Sequence, residues 1–213
     1  MSSPLERAVE VMDQLRSPGG CPWDAAQTHE SLTRYLLEEA YEVIEAIETN
    51  DLKLLREELG DLLLQVLFHA RMTQELPPED AFGIEDVATD LVEKLVRRHP
   101  HVFAGAHAGS ADELNETWER QKVDEKGRTS AVDGVPPNQP ALALAAKLVS
   151  RARRAALDVP PQTGEDIGAR LLAVVVDAVA ADVDPETALR RAARELRAGL
   201  IRQEAEQNGR TGS

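Results

Sequence analysis

Apolar positions recur along this chain at intervals of three and four residues, whereas the alternation of a half-buried strand, rich in Val, Ile, Thr and aromatics, forms no convincing run. The pattern predicts an all-α protein. A first helix covers about 4–16 and stops at Ser17-Pro18-Gly19-Gly20; Cys21-Pro22-Trp23-Asp24 then leads into a second over about 28–48. Thr49-Asn50-Asp51 turns the chain, a third helix runs over about 52–75 until Pro77-Pro78, and these two helices form an antiparallel hairpin. A fourth helix at about 84–98 is ended by Pro100, and a fifth at about 111–125 carries Trp118 and Lys122. Gly, Pro, Asn and Asp crowd 127–140, which reads as a linker or exposed loop between a domain at 1–126 and a helical segment at 141–213. That segment carries helices near 141–156, 165–182 and 185–207 and ends in a frayed tail.

The hairpin holds the unusual pattern. The second helix sets Leu36, Leu37, Ala40, Val43, Ile44 and Ile47 on one face, with Glu38, Glu39, Glu42 and Glu45 opposite or at its edge. The third is apolar around nearly its whole circumference, as buried helices are, and leaves one narrow polar strip of Glu58, Asp61, Gln65 and His69. In an antiparallel pair turning at Asn50, residues whose numbers sum to about 100 lie at similar height. Glu42 pairs with Glu58 in this way and Glu39 with Asp61, in two layers separated by about 4.5 Å of helical rise.

Four carboxylates so placed would raise one another's pKa or drive the helices apart unless a cation offsets them. An oxygen-only ligand set suits Mg²⁺ or Mn²⁺, and the layer spacing is close to that of two-metal phosphoryl chemistry. Ordinary solvated acids in i,i+4 ion pairs would explain Glu38 and Glu57, which follow Arg34 and Lys53 by four residues. They do not explain Glu39, Glu42, Glu58 and Asp61, which have no Lys or Arg three or four positions away. A di-iron site is disfavoured, since neither Glu42 nor Glu58 is followed three residues later by His.

Charge and composition narrow the partners. Among 213 residues, 38 acidic and 24 basic side chains give a formal charge of −14, which makes nucleic acid and anionic membranes poor partners. The acidity is local: residues 1–140 hold 28 acidic and 13 basic side chains, and the remainder 10 and 11. Cys21 is the only cysteine and cannot form an internal disulfide, no signal peptide is evident, and the apolar run 171–176 is far short of a membrane span. A reducing, cytoplasmic setting is the expectation.

The string Glu38-Glu39-Ala40-Tyr41-Glu42, followed by Glu58-Leu59-Gly60-Asp61, resembles the EExxE…ExxD signature of the MazG nucleoside triphosphate pyrophosphohydrolases. Cys21-Pro22-Trp23-Asp24 with Gln27-Thr28 upstream, and the stretch from Lys94 to Phe103 downstream, are similar to that family as well, so the likeness extends over about 5–125. The resemblance implies an all-α NTP pyrophosphatase fold, with the hairpin completed to a four-helix bundle by a second copy in a homodimer. It implies Mg²⁺ on Glu39, Glu42, Glu58 and Asp61, and cleavage of a nucleoside triphosphate between the α and β phosphates. It also implies that 141–213 is a worn second MazG-like repeat without a second site: no EExxE occurs there, and Gly168-Ala169-Arg170 stands where the family has Gly-Asp.

A triphosphate entering an acidic site also calls for cationic side chains. Lys94 and Arg98, four apart, and Trp118 and Lys122, again four apart, match family positions associated with nucleotide binding. Lys94, Arg98 and Lys122 are therefore expected to hold the β and γ phosphates, with Arg97 a further substrate-binding residue and Trp118 packing near the base or closing the pocket. The catalytic set is Glu42 and Glu58 with Glu38, which lies on the Glu42 face outside the two-layer pairing and is the candidate to orient the attacking water. The rival reading is a non-catalytic helical interaction module that holds a structural metal. Base preference is not legible, and house-cleaning of oxidised or non-standard nucleotides is one possibility among several.

Overall fold

The computed structural model describes residues 2–105, 109–110, 113–114, 117–118, 121, 129–160, 164 and 166–211. Every regular element among them is helical, and the chain divides into two compact units, 1–114 and 115–213.

The first unit opens with α1 (Pro4–Arg16), started by a capping box in which Ser3 Oγ accepts from Glu6 N and the Glu6 carboxylate accepts from Ser3 N. The Pro22 ring, with φ already suited to a helical first position, starts a one-turn helix, α2 (Pro22–Ala25), where the sequence suggested only a lead-in. Thr28 caps α3 (His29–Thr49) by accepting from Ser31 N. Asn50 ends it in the left-handed conformation at φ 56°, which Asn tolerates better than most residues. Asp51 then caps α4 (Leu52–Thr73), its Oδ1 accepting from Lys53 N and Leu54 N at 3.0 Å each. A two-residue turn thus joins α3 to α4, and the two helices pack chiefly on each other.

Met12 of α1, Leu32 of α3 and Leu67, Phe68 and Met72 of α4 form the core beneath the hairpin. Arg16 reinforces it: its side chain is 5% exposed, forks onto Glu75 at 2.9 and 2.8 Å, donates to the Gln27 carbonyl at 3.2 Å and lies over the Phe68 ring. Arg71 joins the same network through Asp13 and Glu75. Gly83 N donates to Asp86 Oδ2 at 2.8 Å to start α5 (Ile84–Arg98), which packs against α4. Its end is set one residue earlier than Pro100: His99 leaves helical geometry and its Nδ1 donates to the Leu95 carbonyl, while Pro100 begins another one-turn helix, α6 (Pro100–Phe103).

The all-round apolar surface of α4 is not buried within one chain. Its C-terminal half supplies the core, but Leu59, Leu63, Leu64 and Val66 remain 37–50% exposed, as does Leu37 of α3 at 55%.

The second unit includes α7 (Ala141–Arg154), α8 (Ile167–Ala180) and α9 (Pro185–Thr211); α7 packs on α8, and Ala146, Val149 and Val175 are buried. Asp166 caps α8 and Asp184 caps α9, accepting from Ala169 N and Thr187 N.

A carboxylate cluster between two antiparallel helices

The turn at Asn50-Asp51 sets the register of the hairpin, and the register brings acids from both helices together. Carboxylate oxygens of Glu39, Glu58 and Asp61 lie within 4.8 Å of one another. Glu58 is 8% exposed although ionisable groups are rarely buried unpaired, and among the described residues no ion pair reaches Glu39, Glu42, Glu58 or Asp61. Burial, followed by the charges of Asp61 and Glu42, holds the Glu39 carboxyl above its ordinary range. Burial also pushes Glu58 up, with Glu42, Asp61 and Glu57 adding to it. Glu42 therefore acts on both residues and belongs to the same electrostatic group.

Such a group is costly as bare anions and well suited to a hard divalent cation, because every donor is an oxygen and none is engaged by a Lys or Arg among the described residues. The opposite reading, acids held in helical ion pairs, does not describe these helices. Arg34 donates to the Tyr35 hydroxyl and stacks over its ring at 4.4 Å instead of pairing with Glu38, and no ion pair joins Lys53 to Glu57. Glu38 is exposed on α3 and stands outside the cluster.

The cationic candidates come from later in the chain. Lys94 and Arg97 are exposed in the last turns of α5 and Arg98 is half-buried there; Lys94 makes no ion pair with the acids. Trp118 is half-buried in the second unit, and Lys122 lies outside the described residues. Trp23 is half exposed and meets Tyr35 edge-on at 6.1 Å, a packing role.

The polar strip of α4 continues past the acids to Gln65 and His69, and here the structure adds what the sequence pattern did not predict. His29, the first residue of α3, stacks on His69 with ring planes 8° apart, and their Nδ1 atoms are 2.7 Å apart, one donating and the other accepting. The sequence places His69 on the strip, but its partner depends on how closely the start of α3 approaches α4. Burial and the adjacent His29 lower the His69 pKa.

The MazG nucleotide pyrophosphohydrolase domain family matches residues 27–103, a span that holds all four acids, Lys94, Arg97 and Arg98 but neither Trp118 nor Lys122. The chain is 40% identical to the nucleoside triphosphate pyrophosphohydrolase/pyrophosphatase MazG of Thermotoga maritima, over 90% of this chain and 82% of that protein. It is 54% identical to an uncharacterised 26.1 kDa protein of Streptomyces cacaoi, over 87% of this chain and 76% of that one. With the nucleoside triphosphate pyrophosphohydrolase of Mycobacterium tuberculosis it shares 46% identity over 88% of its own length, spanning 54% of that longer relative. Among solved structures, a MazG-related protein from Thermotoga maritima is 33% identical, with a TM-score of 0.45, over 55% of this chain and 97% of that one.

Proposed function

Since the chain belongs to the family of MazG nucleotide pyrophosphohydrolases, we propose that it hydrolyses nucleoside triphosphates to nucleoside monophosphate and pyrophosphate in a reaction dependent on Mg²⁺, with Mn²⁺ as a substitute. The observation that carries this reading is buried Glu58 set among Glu39, Glu42 and Asp61 with no ion-pair partner among the described residues. Relatives at 40% and 46% identity carry the name nucleoside triphosphate pyrophosphohydrolase.

In this reading Glu39, Glu42, Glu58 and Asp61 hold the metal. The bound cation supplies charge neutralisation at the phosphoryl oxygens and acidity to a coordinated water. Glu38, one residue from Glu39 and exposed, accepts a hydrogen bond from the attacking water and orients it toward the α phosphorus. Lys94, Arg97, Arg98 and Lys122 bind the β and γ phosphates and stabilise charge on the departing pyrophosphate. Trp118 packs against the nucleoside.

The uncovered apolar side of the hairpin supports a homodimer, in which the exposed Leu37, Leu59 and Leu63 pair with their counterparts. Removal of non-standard nucleotides in a reducing cytoplasm is the setting we propose. No described helix is long and apolar enough to cross a membrane.

Pyrophosphate release from a panel of ordinary and modified triphosphates, with and without Mg²⁺, tests the function. Metal-dependent release that disappears in Glu58→Gln supports it. Absence of release from every triphosphate overturns it and leaves a structural-metal module.

A further inference from the structure

Gln65 is 5% exposed, yet its side chain makes no hydrogen bond with any described residue and its Oε1 is wholly shielded. One turn along, His69 bonds His29 through Nδ1 while its Nε2 is shielded and without a partner. A buried polar atom left unpaired is costly, so an amide oxygen and a ring nitrogen in that state on one strip need a common explanation.

Their place supplies one. Glu58, Asp61, Gln65 and His69 follow at spacings of three, four and four, which keeps them on one face of α4. At 1.5 Å per residue, Gln65 stands about 6 Å and His69 about 12 Å beyond Asp61 along the helix axis. An α phosphate held at the acids would place its sugar and base over that distance. The amide offers acceptor and donor together, and imidazole Nε2 offers one or the other according to its tautomer. Such a mixed donor and acceptor pair matches the hydrogen-bonding edge of a nucleobase, whereas a phosphate, which only accepts, would leave the Gln65 Oε1 without a partner.

We infer that Gln65, with His69 next to it, reads the base of the nucleotide whose phosphates lie at the Glu39–Glu58–Asp61 cluster. This rests on the proposed pyrophosphohydrolase reading. The His29 ring holds His69 in place through the Nδ1 contact, so His29 is a positioning residue.

The test uses the full chain and four triphosphates, ATP, GTP, CTP and UTP, with kcat/KM compared between wild type and Gln65→Met, which keeps the volume and removes the hydrogen bonds. The expected result is a fall of about tenfold or more for the preferred base with a smaller fall for the others, compressing the base ratios. Gln65→Glu, which keeps the shape and exchanges a donor for an acceptor, should reorder the preference and serves if the Met variant does not fold. Equal effects on all four bases, or none, overturn the inference; so does a raised thermal midpoint with unchanged ratios, the mark of an idle buried amide. Calorimetric binding of the four nucleoside monophosphates with Mg²⁺ separates the two readings. If wild type releases no pyrophosphate but binds monophosphates with a base preference lost in Gln65→Met, the base site stands while the reaction does not; binding without that preference overturns the base site, as does no binding at all.

Discussion

Glu39 on α3 and Asp61 on α4 bring carboxylate oxygens to within 4.8 Å across the hairpin, with the buried Glu58 within the same distance of both. Among the described residues no Lys or Arg pairs with them, so removing one charge should have opposite effects on stability and on the proposed metal-dependent activity. Glu58→Gln should raise the thermal midpoint in excess chelator, because burial and repulsion both press on that carboxylate. The same substitution should lower kcat/KM by about 10²-fold or more in Mg²⁺. Differential scanning fluorimetry in EDTA, paired with pyrophosphate release, reads both; a drop in the midpoint would contradict the electrostatic account.

The raised pKa values of Glu39 and Glu58 give a pH dependence of definite sign. Each folded-state pKa lies above the unfolded one, so the folded chain binds more protons between the two values, and metal-free stability falls as pH rises through that window. Mn²⁺ must displace those protons, so its affinity should weaken as pH falls, beginning above the ordinary carboxylate range. Titration of Mn²⁺ by electron paramagnetic resonance across the acid range checks this, with proton release on binding as the companion measurement.

The Arg16–Glu75 fork should show the contrary behaviour. Its hydrogen bonds, and then the charges of Arg16 and Arg71, hold the Glu75 carboxyl below its ordinary range against some burial. Its contribution is present above the unfolded pKa and is lost as pH falls through the folded one. Glu75 is partly open to solvent, so Glu75→Gln should cost only about 1 kcal/mol in urea unfolding at neutral pH, and the cost should vanish at strongly acidic pH. Arg16→Met, which strips a buried guanidinium from two backbone carbonyls and Glu75, should cost about 2–3 kcal/mol.

Self-association should depend on the uncovered hairpin face. Leu63→Lys, at a position 37% exposed in the single chain, should weaken the dimer at least tenfold in sedimentation equilibrium, about 1.4 kcal/mol. A wild-type thermal midpoint that rises with protein concentration is the corresponding thermodynamic sign.

Much of this architecture was legible before any coordinates. The Asn50-Asp51 turn and 3.6-residue spacing place Glu39 opposite Asp61 and Glu42 opposite Glu58, because a two-residue connection leaves only one workable register. Periodicity could not tell an apolar face buried within one chain from one left exposed, which is why the exposure of Leu59 and Leu63 departs from the pattern of α4. Spacing of four also overstated the ion pairs: Arg34 gains more from the Tyr35 ring than from solvated Glu38. His29–His69 and Arg16–Glu75 join residues 40 and 59 positions apart, contacts that no local rule reaches.

The brevity of the connection between α3 and α4 has a bearing on how this sequence can diverge. Lengthening or shortening that two-residue link by one would rotate one helix relative to the other and dissolve the opposition of Glu39 and Asp61, whereas 129–140 can gain or lose residues without touching it. Insertions and deletions among descendants of this chain should therefore avoid Asn50-Asp51 even where the flanking side chains have drifted, making loop length there a firmer mark of a working enzyme than overall similarity.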